Sequence, residues 1–178
     1  MIFDSPEEIT SMNQAYLLIG GNLGNREENL ARGRKEIETR CGQIKRASSV
    51  YQTAAWGKTD QPDFLNQVLE IETKLQAREI LDQLLAAEHA MGRFRDEKYG
   101  PRIIDMDILF FNDEIIETRS LQIPHPRLQD RRFALVPLAE IAGNKIHPVT
   151  GRTINELLAD CPDTLPVYKF TGIVHNKE

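Results

Sequence analysis

The run Gly100-Pro101-Arg102-Ile103-Ile104-Asp105-Met106-Asp107-Ile108-Leu109-Phe110-Phe111 reads as a buried β-strand that two carboxylates interrupt. Side chains alternate along a strand, so Asp105 and Asp107 share one face with Cα atoms ~7 Å apart. Two like charges in an apolar strand repel each other and are costly to bury unpaired. A cation must therefore stand near them. It is either an arginine on each carboxylate or Mg²⁺, which favours hard oxygen ligands and bridges polyphosphates. Just upstream, Arg93, Arg95, Lys98 and Arg102 fall among Gly92, Gly100 and Pro101, diluted only by Asp96 and Glu97. Such a loop is either a solvated charged surface or the phosphate-gripping partner of a metal site, with arginines taking the oxygens the metal leaves. A second group is Pro124-His125-Pro126-Arg127 with Arg131, Arg132 and Phe133. A histidine held between two prolines is a positioned side chain or a turn with a surface imidazole. Gly20-Gly21-Asn22-Leu23-Gly24 fits neither glycine-rich phosphate-loop pattern and reads as close backbone packing. Trp56, Phe64 and Phe133 lie in or beside loops, as core edges or as shelves for a flat heteroaromatic.

The elements that must position these residues follow from hydrophobic periodicity. Residues 15–20 form a short apolar strand, and a helix is predicted over about 26–40, with Leu30, Gly33, Ile37 and Cys41 inward. A strand spans 44–53, then a loop, and a third strand spans 64–73, hairpin-paired with the second. A second helix covers 77–91 with Ile80, Leu81, Leu84, Leu85, Glu88 and Met91 as its stripe. After the Asp105/Asp107 strand, Asn112-Asp113 turns into a segment over 114–123. An apolar segment over 134–142 and a last helix near 154–161 complete the chain. The order β-α-β-β-α-β predicts an α+β, ferredoxin-like antiparallel sheet with additional C-terminal helices. Residues 1–13 read as a polar extension, 14–168 as one domain and 169–178 as a tail.

Composition narrows the classes. At 178 residues with 40% hydrophobic and 28% charged content, the chain supports an ordinary core. A net charge of −5 argues against non-specific nucleic-acid binding. No apolar run is long enough to span a membrane. The acidic first residues argue against a secretory signal, and two lone cysteines, Cys41 and Cys161, suit a reducing, cytoplasmic setting without a zinc site.

Taken together, Gly20–Gly24, Ser48-Ser49-Val50-Tyr51-Gln52-Thr53, Asp60-Gln61-Pro62-Asp63-Phe64-Leu65-Asn66, Gly92-Arg93-Phe94-Arg95, the Gly100–Asp107 element and Ile123-Pro124-His125-Pro126 resemble 6-hydroxymethyl-7,8-dihydropterin pyrophosphokinases, in the family's order. The resemblance implies transfer of a pyrophosphoryl group from ATP, the co-substrate, to a pterin alcohol in folate biosynthesis, with AMP released. It implies two Mg²⁺ ions on Asp105 and Asp107, and Arg93 and Arg102 on the phosphates during transfer. Glu88, Arg95, Tyr99, Ile108, His125 and Arg131 match nucleotide-site positions. Thr53, Ala54, Trp56, Phe64, Asn66 and Phe133 match the pterin site, with the two phenylalanine rings on opposite faces of the pterin. The loop from about Arg93 to Tyr99 is expected to close over ATP, and the enzyme to act as a monomer with dihydropteroate synthase as a functional neighbour. Departures from the family pattern are Ala54-Ala55 where prolines are common, Phe64 for Tyr, Tyr99 for Trp and Ser120 for Arg. Two rival readings stand beside this one. One is an RNA-binding module using Tyr16 and Phe110 as stacking platforms. The other is a Mg²⁺-dependent phosphotransferase with another acceptor, which would release ADP instead of AMP.

Overall fold

Local chemistry starts the first helix where the periodicity places it. The Asn25 side chain accepts the Glu28 N–H at 3.1 Å, Glu27 and Glu28 face the positive helix start, and Arg40 sits at the end. The computed structural model describes residues 11–55, 60–93 and 100–172. Within them the chain runs β1 (Asn13–Gly21), α1 (Arg26–Arg40), β2 (Gln43–Ala47), β3 (Tyr51–Thr53), β4 (Phe64–Thr73), α2 (Ala77–Ala90), β5 (Asp105–Phe111), β6 (Ile116–Glu117), β7 (Gln122–Ile123), α3 (Arg132–Ala142), α4 (Ile154–Ala159) and β8 (Val167–Lys169).

The main sheet has the order β5-β1-β4-β3-β8, with β2 also paired to β4, and every pairing is antiparallel. This is the expected ferredoxin-like arrangement with one strand added at its edge. Two expectations need correcting. The single strand over 44–53 is two strands, both paired to β4, because the ladder is interrupted at Ser48-Ser49-Val50. There the Ser48 hydroxyl accepts the Val68 N–H at 2.9 Å, and Ser49 offers both its N–H and its hydroxyl to Glu140 of α3 at 3.1 and 2.7 Å. Side-chain acceptors compete with the ladder and win. The segment over 114–123 is likewise not one strand but the two-residue ribbon of β6 and β7. In α2, Leu85 lies on the exposed side, at 40% exposure, so the inner stripe is narrower than predicted.

Both faces of the sheet are covered, but unequally. One face carries Leu17, Ile19, Leu65, Leu69, Ile71, Met106 and Ile108, sealed by α1 and α2. The other carries Tyr16, Leu18, Val68, Leu109 and Phe110 beneath α3 and α4. Tyr16 and Phe110 are buried there, with rings edge-to-face at 6.3 Å, so the stacking platforms of the RNA-binding reading are closed. Phe110 reaches that face through a bulge: the pairing of β1 with β5 jumps from Tyr16↔Phe110 to Leu17↔Ile108. The extra residue re-aims the strand, so Leu109 and Phe110 point one way and Phe111 the other.

Helices α3 and α4 cover only part of their face. The far end of β1, β4 and β5 stays open, and it is held by glycines. A Cβ on Gly21 would lie 2.1 Å from the Ile103 carbonyl oxygen, and one on Gly20 would lie 2.1 Å from Asn66 Oδ1. The neighbour Asn22 donates its N–H to Arg102 O at 2.9 Å and accepts the Arg102 N–H on Oδ1, also at 2.9 Å. The close-packing reading of the glycine turn is thus explained: it clamps the segment that leads into β5. Gly21→Ala is expected to cost about 2–3 kcal/mol, since backbone rather than a flexible side chain must move. Denaturant unfolding of the variant measures the loss.

Candidate active site

The open end of the second face is a cleft of about 240 Å³ lined by Leu18, Gly20, Thr53, Ala54, Phe64, Asn66, Arg93, Arg102, Asp105, Asp107, His125, Arg131 and Phe133. Strand alternation supplies most of it. Phe64 and Asn66 of β4, Asp105 and Asp107 of β5 and Leu18 and Gly20 of β1 fall on one face in register. Asn66 pairs with Gly20 and Asp105 with Gly20, so the three strands place a carboxylate and an amide on either side of a residue without a side chain. Asn66 Nδ2 donates to Thr53 Oγ1 at 3.1 Å, which sets its amide in the wall of the cleft.

The charge pattern combines both cations weighed for the strand carboxylates. Asp105 is held by guanidinium groups: Arg102 Nη1 reaches Oδ2 at 3.1 Å, and Arg93 Nη1 binds Oδ1. Arg93 also meets the buried carboxylate of Glu88 at 2.8 Å. Asp107 has no such grip. Burial, then the charge of Asp105, push its carboxyl up to about 7, with Arg131 pulling the other way. A half-buried carboxyl raised by desolvation and by a neighbouring carboxylate suits a divalent cation, which would favour its charged form. Among the described residues no group of three or more His, Cys, Asp or Glu is arranged as a metal cage. Two carboxylates alone suit Mg²⁺ that keeps waters and draws its other ligands from substrate phosphates.

His125 lies between this cleft and a second, more open hollow of about 380 Å³, which also takes in Ile108, Asp107, Arg119, Ser120 and Leu121. Its Nδ1 accepts the Arg127 N–H at 3.2 Å, which leaves Nε2 to donate. Burial and the nearby Arg131 lower its pKa to about 4, so the imidazole is neutral near pH 7. The guanidinium of Arg102 lies 5.3 Å over the Phe64 ring, and that of Arg131 lies 5.7 Å from the Phe133 ring. Each aromatic shelf thus carries an arginine that can also reach an anion.

Of the predicted site residues, Arg93, Arg102, Asp105, Asp107, His125, Arg131, Thr53, Ala54, Phe64, Asn66 and Phe133 share the cleft. Ile108 is in the adjoining hollow. Glu88 lies beneath β5, 3% exposed. Trp56, Arg95 and Tyr99, with the rest of the loop expected to close over ATP, lie outside the described residues. Sequence reasoning missed Asn22, whose backbone and side chain fix Arg102 and whose Nδ2 donates to Pro62 O at 2.9 Å. Its signal was an asparagine following two glycines at a strand end. It also missed Arg119, the lining cation next to Ser120.

The comparisons agree with this geometry. The model of the 7,8-dihydro-6-hydroxymethylpterin-pyrophosphokinase (HPPK) family matches residues 16–143. The 2-amino-4-hydroxy-6-hydroxymethyldihydropteridine pyrophosphokinase of a Synechocystis strain is 41% identical over 156 residues, covering 86% of this chain and 80% of that protein. The Bacillus subtilis enzyme of the same name is 42% identical over 130 residues, covering 72% and 78%. A crystal structure of Plasmodium falciparum HPPK-DHPS superposes with a TM-score of 0.69 at 19% identity, covering 86% of this chain and 45% of that one. That match speaks for the fold, and the chain spans less than half of the solved one. The chain is a transferase of the ferredoxin-like class. It belongs to the 7,8-dihydro-6-hydroxymethylpterin-pyrophosphokinase family.

The raised pKa of Asp107 has a defined sign. Unfolded, the group titrates near 3.8, and in the fold near 7. The folded chain therefore binds the extra proton in that window, and stability falls as pH rises from about 4 to about 7. Asp107→Asn should remove this fall and stabilise the unliganded protein at pH 8, relative to its effect at pH 4, by on the order of 2–4 kcal/mol. Urea unfolding of both proteins at the two pH values checks it.

Proposed function

We propose that the cleft and the adjoining hollow together carry the family reaction, transfer of a pyrophosphoryl group from ATP to the hydroxymethyl group of 6-hydroxymethyl-7,8-dihydropterin, releasing AMP. The observation that carries the proposal is the carboxylate pair in the cleft, with Asp107 at the junction of two spaces. One is walled by Phe64, Phe133 and Asn66, and the other is lined by Ile108, Arg119 and His125. A flat pterin fits the first, its faces against the two rings and its edge against Asn66 and the Thr53-Ala54 backbone. The nucleotide takes the second, against Ile108 and His125, with Arg131 in the wall of the first. Trp56, Arg95, Tyr99 and Glu88 are assigned to the two substrates by the family resemblance alone. The reacting hydroxyl and the β-phosphorus then meet over the carboxylates.

Each residue has a physical task there. Asp105 and Asp107 hold the magnesium ions, two in number. Bound Mg²⁺ neutralises charge on the α- and β-phosphates and acidifies the attacking hydroxyl. His125, neutral with its hydrogen on Nε2, donates from that nitrogen to a phosphate oxygen. Arg93 and Arg102 exchange Asp105 for phosphate oxygens as charge develops on the leaving group. Arg119 offers a guanidinium beside Ser120, a position that the family resemblance gives as arginine in some members. The substrates are oriented rather than chemically attacked by a protein base, so positioning supplies most of the rate.

Action as a monomer is inferred from the family resemblance. The two free cysteines, and the lack of any described helix long and apolar enough to cross a membrane, support a cytoplasmic setting. The solved neighbours titled HPPK-DHPS support a working neighbourhood with dihydropteroate synthase.

The deciding assay incubates the protein with Mg²⁺, ATP and the pterin alcohol. AMP and a pterin diphosphate in equal amounts are the expected products; ADP would favour the simple-kinase alternative. Arg102→Ala should lower kcat about 100-fold or more and change nucleotide affinity little, because its phosphate contact belongs to the transition state. Steady-state kinetics beside ATP-analogue calorimetry separate the two. Phe133→Ala should weaken pterin binding about 10-fold while ATP binding stays within about 2-fold, since a stacked ring contributes ~0.5–1.5 kcal/mol beyond its area. Calorimetric titration of each ligand is the check.

A further inference from the structure

Glu88 is a buried carboxylate at the end of α2, and its surroundings give it a task of its own. Its Oε1 accepts the Met106 N–H at 2.8 Å and the Arg93 Nη1 at 2.8 Å. Met106 is the residue between Asp105 and Asp107. Strand β5 ends the sheet order, with β1 on one side only, so the Met106 N–H points away from the ladder and would be an orphan donor. The pairing register supports this: Met106 faces Ile19, and the side chain of Met106 reaches to 3.4 Å from the place where a Cβ on Gly33 would lie. Met106 thus packs within ordinary contact range of Gly33 of α1, and α2 places a buried carboxylate on its amide.

We infer that Glu88 is a positioning residue: by accepting the Met106 N–H it fixes the free edge of β5 midway between the two carboxylates, and so sets the spacing at which Asp105 and Asp107 present themselves to a metal. The same oxygen parks Arg93 against the strand, from where it reaches Asp105. The hydrogen bond to Met106, more than the negative charge, is the working part. A carboxylate would be an expensive choice if charge alone were unnecessary, but Arg93 lies within hydrogen-bond distance and compensates it. This role rests on the pyrophosphokinase reading only for its catalytic consequence, and not for its structural one.

Two variants separate acceptor from charge. Glu88→Gln and Glu88→Ala remove the same charge, but only Gln retains an oxygen that can accept the Met106 N–H. Three measurements are made on the full chain. Backbone amide exchange at Met106 should stay within about 3-fold of the parent in Glu88→Gln and quicken at least about 10-fold in Glu88→Ala. Mn²⁺ titration without nucleotide should show Glu88→Ala binding at least about 5-fold more weakly than Glu88→Gln. In turnover, Glu88→Ala should lose kcat at least about 10-fold and need more Mg²⁺ for half-saturation, with Glu88→Gln restoring most of both. Equal Mn²⁺ affinity in the two variants would overturn the inference in favour of a plain charge effect. A rise in KM for ATP with kcat and Mg²⁺ demand unchanged would overturn it in favour of a direct nucleotide contact. If Glu88→Ala does not fold, Glu88→Gln decides alone: loss of Met106 protection or of metal affinity beyond about 5-fold in that variant rejects the role. A parent protein that forms no AMP would reject the pyrophosphokinase reading, while the exchange and Mn²⁺ measurements still decide the role of Glu88.

Discussion

The structure is organised around placing two aspartates on one face of a strand at the end of a sheet. Asp105 and Asp107 repel each other, and the fold answers with graded compensation rather than neutrality. Arg93 and Arg102 take Asp105, Glu88 braces the strand from beneath, and Asp107 feels Arg131 and Arg93 without an ion pair among the described residues, its carboxyl pushed up by burial. The cost of that arrangement is met by a raised carboxyl at Asp107 and by guanidinium groups at Asp105.

The partial cover of the second face follows from the same requirement. Helices α3 and α4 pack over Tyr16, Val68 and Phe110 and stop before Gly20, Asn66 and Asp105. Helix α3 is pinned to the β2–β3 segment through Glu140, which accepts from Ser49 and Tyr51. Phe133 and Arg131, at the start of α3, are thereby fixed opposite Phe64 and Arg102 on the sheet. The hydroxyl-rich Ser48–Thr53 motif is therefore mainly structural up to Tyr51 and enters the site only at Thr53, where its hydroxyl orients Asn66.

The departures from the family pattern are accommodated in place. Phe64 keeps a ring that Arg102 covers, so the lost tyrosine hydroxyl leaves the stacking surface intact. Ala54 lines the cleft and Ala55 is buried, so small side chains there fill wall rather than solvent. Ser120 is met by Arg78, whose Nη1 donates to the serine hydroxyl, while Arg119 turns toward the hollow.

The sequence by itself determined the helices, the sheet order and the identity of most of the cleft. Helical and strand periods are local, and the D-x-D on an apolar strand is a local contradiction of hydrophobicity that demands a nearby cation. It also placed Phe64 and Asn66 on one strand face by simple alternation. Tertiary structure alone decided the rest. Periodicity could not show that the strand over 44–53 breaks, because serine hydroxyls and Glu140 outcompete the ladder through contacts distant in sequence. It could not show the bulge at Leu109, which depends on the partner strand's register. Nor could it assign Glu88: a carboxylate on an inner helical stripe looks like an error of pattern until the edge amide of Met106 and the guanidinium of Arg93 are brought to it, and that meeting exists only when helix, loop and strand are packed together.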